Sequence, residues 1–440
     1  MKYLIMDSQK KAWVVTVDMG YGHQRAAYPL KDIAYERIIT ANSDKVILPK
    51  EKKQWQRFQY SYESVSRLKS IPLVGNALWN IYYAFQDISP IYPFRDLSKP
   101  TFGVIYLDRL IKRNFIEGVV SYIKKKELPF VTTFFATAMS ASFHGIKEIY
   151  CIVTDSDINR VWAPLDSKNT KIIYFAPTER AKKRLISYGV PEKNIFYTGF
   201  PLPEENTGTN LEILKKDLAQ RIINLDPKKV FITKYNEILK KELNININSK
   251  RTLSLTFSVG GAGAQKETAY KILKSLKKKI KEHKIIVNLV AGTRLEICTY
   301  FNNIVQELGL KDELGKYVTV LCSLDKKTYF EKFNQLLRES DILWTKPSEL
   351  SFYAALGIPI IISPPIGSHE ALNQKWLFMI RGGIPEEDPE FTEEWLFEYL
   401  NNGVLAEVAW EGFMEAPKYG TYNIKSLIFS RDKEKVKLKY

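Results

Sequence analysis

Leu253-Ser254-Leu255-Thr256-Phe257-Ser258-Val259 runs straight into Gly260-Gly261-Ala262-Gly263-Ala264-Gln265, and a helical pattern from Glu267 to about Lys281 follows. A short apolar run, a glycine-rich turn and a 3.6-period segment read as strand, tight loop and helix. The other half of the chain opens the same way. Ala12 to Val17 is a short β-branched run, and Asp18-Met19-Gly20-Tyr21-Gly22-His23-Gln24-Arg25 turns from it into a helix. Working outward, further strands are expected at 130–135, 149–154, 171–175 and 195–198, then at 284–290, 317–321, 341–345 and 359–362. Helices are expected between them, at 136–145 and 178–188 among others. Strands alternating with helices predict parallel sheets covered on both faces, an α/β fold.

The alternation lapses between Pro203 and about Arg251, where the chain turns polar and Lys-rich. This is read as the crossing between two domains of comparable size, and no solenoid-period repeat is present. The expected division is 1–203, with an insertion at about 45–100, then 204–415, then a tail at 416–440 that packs back on the first domain. A length of 440 residues suits two or three domains.

Lys and Arg number 65 against 49 Asp and Glu, a formal charge of +16. That balance favours anionic partners, or it reflects lysines on solvated helix faces. The three cysteines, Cys151, Cys298 and Cys322, show no C-x-x-C spacing. A disulfide scaffold and a Cys-rich zinc site are therefore not expected, and four histidines make a His-rich metal site unexpected too. No stretch has the run of about 20 apolar residues that spans a bilayer. The start, Met1-Lys2-Tyr3-Leu4-Ile5-Met6-Asp7, does not read as a signal peptide. A cytoplasmic protein that touches a membrane from that side is the expectation.

Lys45 to Phe94 mixes Lys50, Lys52, Lys53, Arg57, Arg67 and Lys69 with Trp55, Phe58, Tyr60, Tyr62, Trp79, Tyr82, Tyr83, Phe85, Tyr92 and Phe94. The mixture suits an anionic membrane surface, a single-stranded nucleic acid or a helical excursion packed on its own domain. Of these, nucleic acid is the least expected.

Several short stretches carry chemistry. Glycines at 260–263 let a backbone approach a phosphate, with helix-start N–H groups pointing at it. His23 falls where a helix begins, and the positive end of a helix disfavours imidazolium, so a neutral imidazole there can act as a general base or can simply cap or pack. Asp155 and Asp157 lie at the carboxyl end of a strand, where α/β sheets bind ligands. Such a D-x-D can chelate a divalent cation or serve as a turn. A further stretch runs Trp344-Thr345-Lys346-Pro347-Ser348-Glu349-Leu350-Ser351-Phe352, then Gly357-Ile358-Pro359, and beyond it Gly367-Ser368-His369-Glu370 and Asn373.

The order of these pieces resembles the GT-B glycosyltransferases, in particular the family-28-like group of monogalactosyldiacylglycerol synthase and the lipid-linked N-acetylglucosaminyltransferase of peptidoglycan synthesis. The matching residues are Gly20 to His23, Val153-Thr154-Asp155 with Trp162, Pro177-Thr178-Glu179, Gly189-Val190-Pro191 and Gly199-Phe200-Pro201. In the second half they are Gly260-Gly261, Thr345-Lys346, Gly357-Ile358-Pro359, and Glu370 with Asn373. The match leaves out 45–100 and 203–251.

The resemblance implies two Rossmann-like doubly wound domains facing a central cleft, and transfer of a sugar from a nucleotide-sugar, UDP-linked in the relatives, to an acceptor hydroxyl. A lipid or lipid-linked acceptor is implied by the same relatives. Carried over, His23 and Asp155 are the catalytic candidates. Gly20, Gly22, Arg25, Asp157 and Trp162 fall on the acceptor side. Gly260, Gly261, Gly263, Arg294, Lys346, Ser348, Glu349, His369, Glu370 and Asn373 fall on the donor side. Enzymes of this kind neutralise the diphosphate with a helix start and basic residues, here Lys346 and Arg294. No metal and no cofactor is therefore expected, the nucleotide-sugar being a substrate. One position departs from the pattern. The relatives carry a ribose-binding carboxylate seven residues before the Gly-x-Pro proline, and this chain has Phe352, with Glu349 three residues earlier. Two other readings stand beside transfer: a non-catalytic nucleotide-sugar-binding protein of the same fold, and a UDP-sugar 2-epimerase.

Overall fold

The computed structural model describes residues 10–56, 88–243, 251–260, 263 and 265–439. The chain divides into two compact units, 1–201 with 419–440, and 202–418. Each holds one six-stranded sheet with every pairing parallel. In the first, β1 (Trp13–Thr16), β2 (Ile39–Thr40), β3 (Phe130–Thr132), β4 (Ile149–Ile152), β5 (Ile173–Ala176) and β6 (Ile195–Tyr197) lie in the order β2-β1-β3-β4-β5-β6. In the second, β7 (Leu253–Ser258), β8 (Ile285–Gly292), β9 (Val318–Cys322), β10 (Ile342–Thr345), β11 (Ile360–Ile362) and β12 (Gly383–Pro385) lie in the order β12-β11-β10-β7-β8-β9. Two Rossmann-like domains in tandem are the GT-B architecture.

The strands form where the sequence is apolar on both faces. β1, β4, β7 and β10 are buried at every residue, which a sheet covered by helices on both sides demands. The covering helices are one-sided. Thr268–Lys281 buries Ala269, Ile272, Leu273, Leu276 and Ile280 and turns its lysines outward. Part of the positive charge is thus a solvated helix face.

The polar stretch after Pro203 is built onto the second unit. Arg221, on the helix Glu212–Leu225, is 1% exposed and donates to the carbonyls of Ser340, Leu356, Gly357 and Leu337 at 2.8–3.2 Å. It satisfies carbonyl groups at element ends that would otherwise be buried and unpaired. The tail belongs to the first unit. Asn423 Nδ2 donates to Thr198 O at 3.0 Å, Lys425 pairs with Asp32 at 2.7 Å, and Tyr150 Oη donates to Ile428 O at 3.4 Å.

The basic–aromatic segment splits. Trp55 is core, 1% exposed, with its ring 4.8 Å from Phe115. Arg184 and Arg160 hold residues 88–100 on the domain through Ser89 O and Ser98 O, each at 2.8 Å. The rest of that stretch, Arg57 to Phe85 included, lies outside the described residues.

Candidate functional site

In an open parallel sheet, the place where strand order reverses leaves a crevice at the carboxyl ends of two neighbouring strands. The first sheet reverses between β1 and β3, the second between β7 and β10. Both reversals are occupied by residues that the sequence singles out.

At the β1/β3 reversal, Gly20 takes φ +95° just before the helix Tyr21–Ala27. Only glycine adopts that conformation without strain. The turn delivers His23 to the start of the helix. Its Nδ1 lies 2.6 Å from the carbonyl oxygen of Thr133, just beyond β3, and 3.5 Å from Oγ1 of Thr154, just beyond β4. A carbonyl only accepts, so Nδ1 carries the hydrogen and donates it. In the neutral ring the basic lone pair is then on Nε2. Burial pushes the His23 pKa below 6.5, against the opposing pull of Asp155 and of the Thr133 carbonyl. The imidazole is therefore neutral at pH 7, the form a general base requires. Phe134 meets its ring edge-on at 5.2 Å, and the Trp162 ring lies 6.4 Å away.

The other acceptor-side candidates are placed less openly. Asp157 is a correction. Its carboxylate is buried, accepts from Arg180 Nε at 2.6 Å and from Arg184 Nε and Nη2 at 2.8 Å, and caps Ile158 N at 2.9 Å. A carboxylate so satisfied ties the β4 loop to the helix Glu179–Ser187 and offers nothing to an acceptor. Arg25 is 2% exposed, its guanidinium 5.7 Å from the Tyr21 ring, and Trp162 is 3% exposed. Both build the wall of the turn. Gly22 lies in the first turn of the helix, beside His23.

At the β7/β10 reversal, the backbone of Gly260 runs over the Lys346 side chain. A Cβ there would meet Lys346 Cδ at 2.6 Å and Nζ at 3.1 Å. Lys346 Nζ donates to Glu370 Oε1 at 2.6 Å, and Ile366 N donates to Glu370 Oε2 at 2.8 Å. The sequence treats Lys346 and Glu370 as separate donor contacts. In the structure they are one ion pair, with 20% and 17% of the side chains exposed. The helix begins at Thr268, one residue after the Glu267 start expected from the sequence, and a turn at 265–267 separates it from the glycines. Gly261 lies outside the described residues.

Gly263 packs on the next loop, where a Cβ would meet Ile297 Cδ1 at 2.9 Å and Arg294 Cδ at 3.9 Å. Arg294 is thereby brought beside the glycine turn, with Glu296 at 3.4 Å. Gln265 Nε2 donates to Pro364 O at 3.2 Å and links the turn to the loop after β11. Ser348 caps the 3₁₀ helix Glu349–Leu356. His369, Glu370 and Asn373 lie in the first half of the helix Ser368–Met379. Asn373 is 2% exposed, and Nδ1 of His369 is buried with no hydrogen-bond partner among the described residues. Phe352 is 3% exposed and packs on Trp376 at 4.8 Å. Among the described residues no group of three or more His, Cys, Asp or Glu could hold a metal ion, and no helix is long and apolar enough to cross a membrane.

Thr133 was not singled out from the sequence, and Thr154 was quoted only as part of Val153-Thr154-Asp155, with no role of its own. Their contribution is a carbonyl and a hydroxyl at strand ends, which leave no residue-type signature.

A family model described as "Domain of unknown function (DUF6938)" matches residues 294–388. The chain is 19% identical over 380 residues to a processive diacylglycerol beta-glucosyltransferase of Bacillus licheniformis, covering 84% of this chain and 81% of that enzyme. Among solved structures it is similar to MurG of Acinetobacter baumannii, at 12% identity and TM-score 0.47, with 95% and 99% of the two chains covered. It is also similar to the UDP-GlcNAc 2-epimerase of Neisseria meningitidis bound to UDP-GlcNAc, at 13% and 0.45, with 96% and 100% covered. The likeness to the glucosyltransferase extends over 84% of this chain.

Proposed function

From that resemblance as premise, we propose that the protein transfers a sugar from a nucleotide-sugar, UDP-linked first of all, to the hydroxyl of a lipid acceptor. The observation that carries the reading is the state of His23: neutral, with Nδ1–H spent on the Thr133 carbonyl and Nε2 left as the base. In the reaction, Nε2 takes the proton of the acceptor hydroxyl. The freed oxygen attacks the anomeric carbon, and the bond to the diphosphate breaks. Asp155 stabilises the imidazolium that forms, as its upward pull on the His23 pKa indicates. The departing nucleoside diphosphate is met by the glycine turn after β7, by Arg294, and by Lys346 held in place by Glu370.

A lipid acceptor is supported by the diacylglycerol in the relative's name and by exposed aromatic residues of the first unit. Tyr92 and Phe94 are 65% and 63% exposed, and Phe102 and Tyr106, 57% and 42% exposed, stack at 6.3 Å on the helix Phe102–Lys112. Aromatics beside lysines suit the headgroup layer.

The test is UDP release from UDP-glucose with diacylglycerol in anionic vesicles. His23→Ala should lower kcat by roughly 10²–10⁴ and leave UDP affinity within about twofold. An unchanged rate would remove His23 from the chemistry. Phe352 favours a second reading, a nucleotide-sugar-binding protein without turnover. That reading expects UDP to bind wild type with no release above background for any sugar donor.

A further inference from the structure

β3 ends at Thr132, and Thr133 and Phe134 turn the chain into the helix Phe135–Phe143. The peptide group joining Thr133 to Phe134 lies in that turn. Its carbonyl accepts from His23 Nδ1 at 2.6 Å, and its N–H donates to Thr132 Oγ1 at 3.2 Å. In a planar trans peptide the C=O and the N–H point in opposite directions. The bond to Thr132 therefore aims the carbonyl at His23. The Thr132 hydroxyl is held in turn. Thr137, in the first turn of the helix, donates its one hydroxyl hydrogen to Phe134 O at 2.6 Å. Its hydrogen bond with Thr132 Oγ1 is then made by the Thr132 hydrogen. A ring closes from the Phe134 N–H through Thr132 and Thr137 back to the Phe134 carbonyl. Thr132 and Thr137 are fully buried, and each hydroxyl both receives and gives, so the bonds of the ring strengthen one another. Thr133 N donates to Val15 O at 3.2 Å and Thr133 Oγ1 to Thr16 Oγ1 at 3.0 Å, which fastens the turn to β1, the strand that leads to His23.

We propose that Thr132 and Thr137 are positioning residues of the base: their hydroxyl ring holds the Thr133 carbonyl on His23 Nδ1 and so keeps the neutral imidazole in the tautomer whose Nε2 can take a proton. The role in turnover rests on the sugar-transfer reading, in which His23 is the base, whereas the tautomer is measurable without it. If the carbonyl swings away, the ring hydrogen can sit on Nε2 instead, and Nε2 then has no lone pair for the acceptor's proton. Thr154 Oγ1 does not take over, because at 3.5 Å from Nδ1 it lies beyond the range of about 2.7–3.2 Å for a good N–H···O bond. Valine at 132 keeps the shape of threonine and leaves the Phe134 N–H without its acceptor, while serine keeps the hydroxyl. Both threonines are buried behind the base, so their replacement should act on turnover rather than on substrate binding.

The experiment uses the full chain labelled with nitrogen-15 histidine. The chain has four histidines, and His23→Ala assigns the His23 signals by their loss. Long-range proton–nitrogen correlation spectra report which ring nitrogen carries the hydrogen. Wild type at neutral pH should carry it on Nδ1. Thr132→Val should move a measurable share of it to Nε2. The same variant should lower the His23 pKa, because the Thr133 carbonyl and Asp155 are the two groups that raise it. Thr137→Val should act in the same direction, and Thr132→Ser should match wild type. With UDP-glucose and diacylglycerol, Thr132→Val should lower kcat roughly tenfold, a part of the 10²–10⁴ that a general base contributes, and leave KM within about twofold. Circular dichroism shows which variants are folded, and should Thr132→Val not fold, the spectrum of Thr137→Val decides. The proposal is overturned if every folded valine variant keeps the hydrogen on Nδ1 with the wild-type pKa. It is equally overturned if Thr132→Ser shifts the tautomer as far as Thr132→Val does. If the tautomer moves as expected and wild type transfers no sugar, the transfer reading fails and the positioning of His23 stands.

Discussion

Gly260→Ala isolates what the glycine turn does before any ligand arrives. The added methyl group would fall on the Lys346 stem, nearest to Cε, with Cδ 2.6 Å and Nζ 3.1 Å away, while carbon atoms in contact sit about 3.5–4.0 Å apart. The stem must therefore retreat by more than about 1 Å. Lys346 Nζ is 2.6 Å from Glu370 Oε1, so a retreat of that size takes the pair beyond hydrogen-bond range. Glu370 keeps the Ile366 N–H and loses its cation. A hydrogen bond to a charged group contributes about 1.5–3 kcal/mol, and this pair is mostly shielded from water. Urea unfolding of the second unit should move to a lower midpoint by that amount, with the slope unchanged. Calorimetric titration should show UDP binding weakened by about 10- to 150-fold. The control is the double-mutant cycle. In a Lys346→Ala background the three atoms nearest the methyl group are gone, so Gly260→Ala should there cost less than about 0.5 kcal/mol. If the cost is the same in both backgrounds, the Lys346 contact is not why glycine is required, and the reasoning fails.

Two further expectations are simple to check. Burial lowers the His23 pKa and Asp155 raises it, so the acid limb of kcat/KM should lie below pH 6.5, and Asp155→Asn should move it lower still; a limb moving upward would refute the coupling. Lys50, Lys52 and Lys53 are exposed beside Leu48, itself 51% exposed, so replacing the three lysines by Gln should weaken binding to anionic vesicles by about 1 kcal/mol per residue, less at high salt; binding indifferent to salt and to the substitutions would place that segment away from lipid.

What was legible in the sequence is what local physics writes there. β1 and β7 are apolar on both faces, and each runs into a glycine turn and a helix, so both strand–turn–helix units could be read without coordinates. β2 and β12 were missed for equally local reasons. Ile39–Thr40 is too short for any periodicity, and Gly383–Pro385 pairs two strand-averse residues at a sheet edge, where a missing N–H is tolerated. The pairings at the site are of another kind. Asp157 finds Arg180 and Arg184, and Lys346 finds Glu370, only because a helix crosses over and returns. Sequence shows the charge but not the partner that has already taken it.

Phe352 is the position where resemblance and structure pull apart, and the local geometry decides between two carboxylates. The segment Glu349–Leu356 is 3₁₀, with three residues per turn, so positions 349 and 352 lie on one face. Phe352 points into the domain and packs on Trp376, which belongs to the helix carrying His369, Glu370 and Asn373. A carboxylate placed there would lose its hydration against an indole, so the aromatic side chain suits that position. Glu349 is one turn nearer the Lys346 loop and only half-buried. We infer that it, rather than position 352, accepts the ribose hydroxyls. Glu349→Ala should then weaken UDP by about 10- to 150-fold, the worth of a hydrogen bond to a charged acceptor. Ribose-free uracil should bind wild type and variant alike. Phe352→Leu should lower the unfolding midpoint and leave UDP affinity unchanged once folded. If Glu349→Ala binds UDP as wild type does while Phe352→Leu does not, the ribose contact runs through the helix that Phe352 supports, and the assignment to Glu349 is wrong.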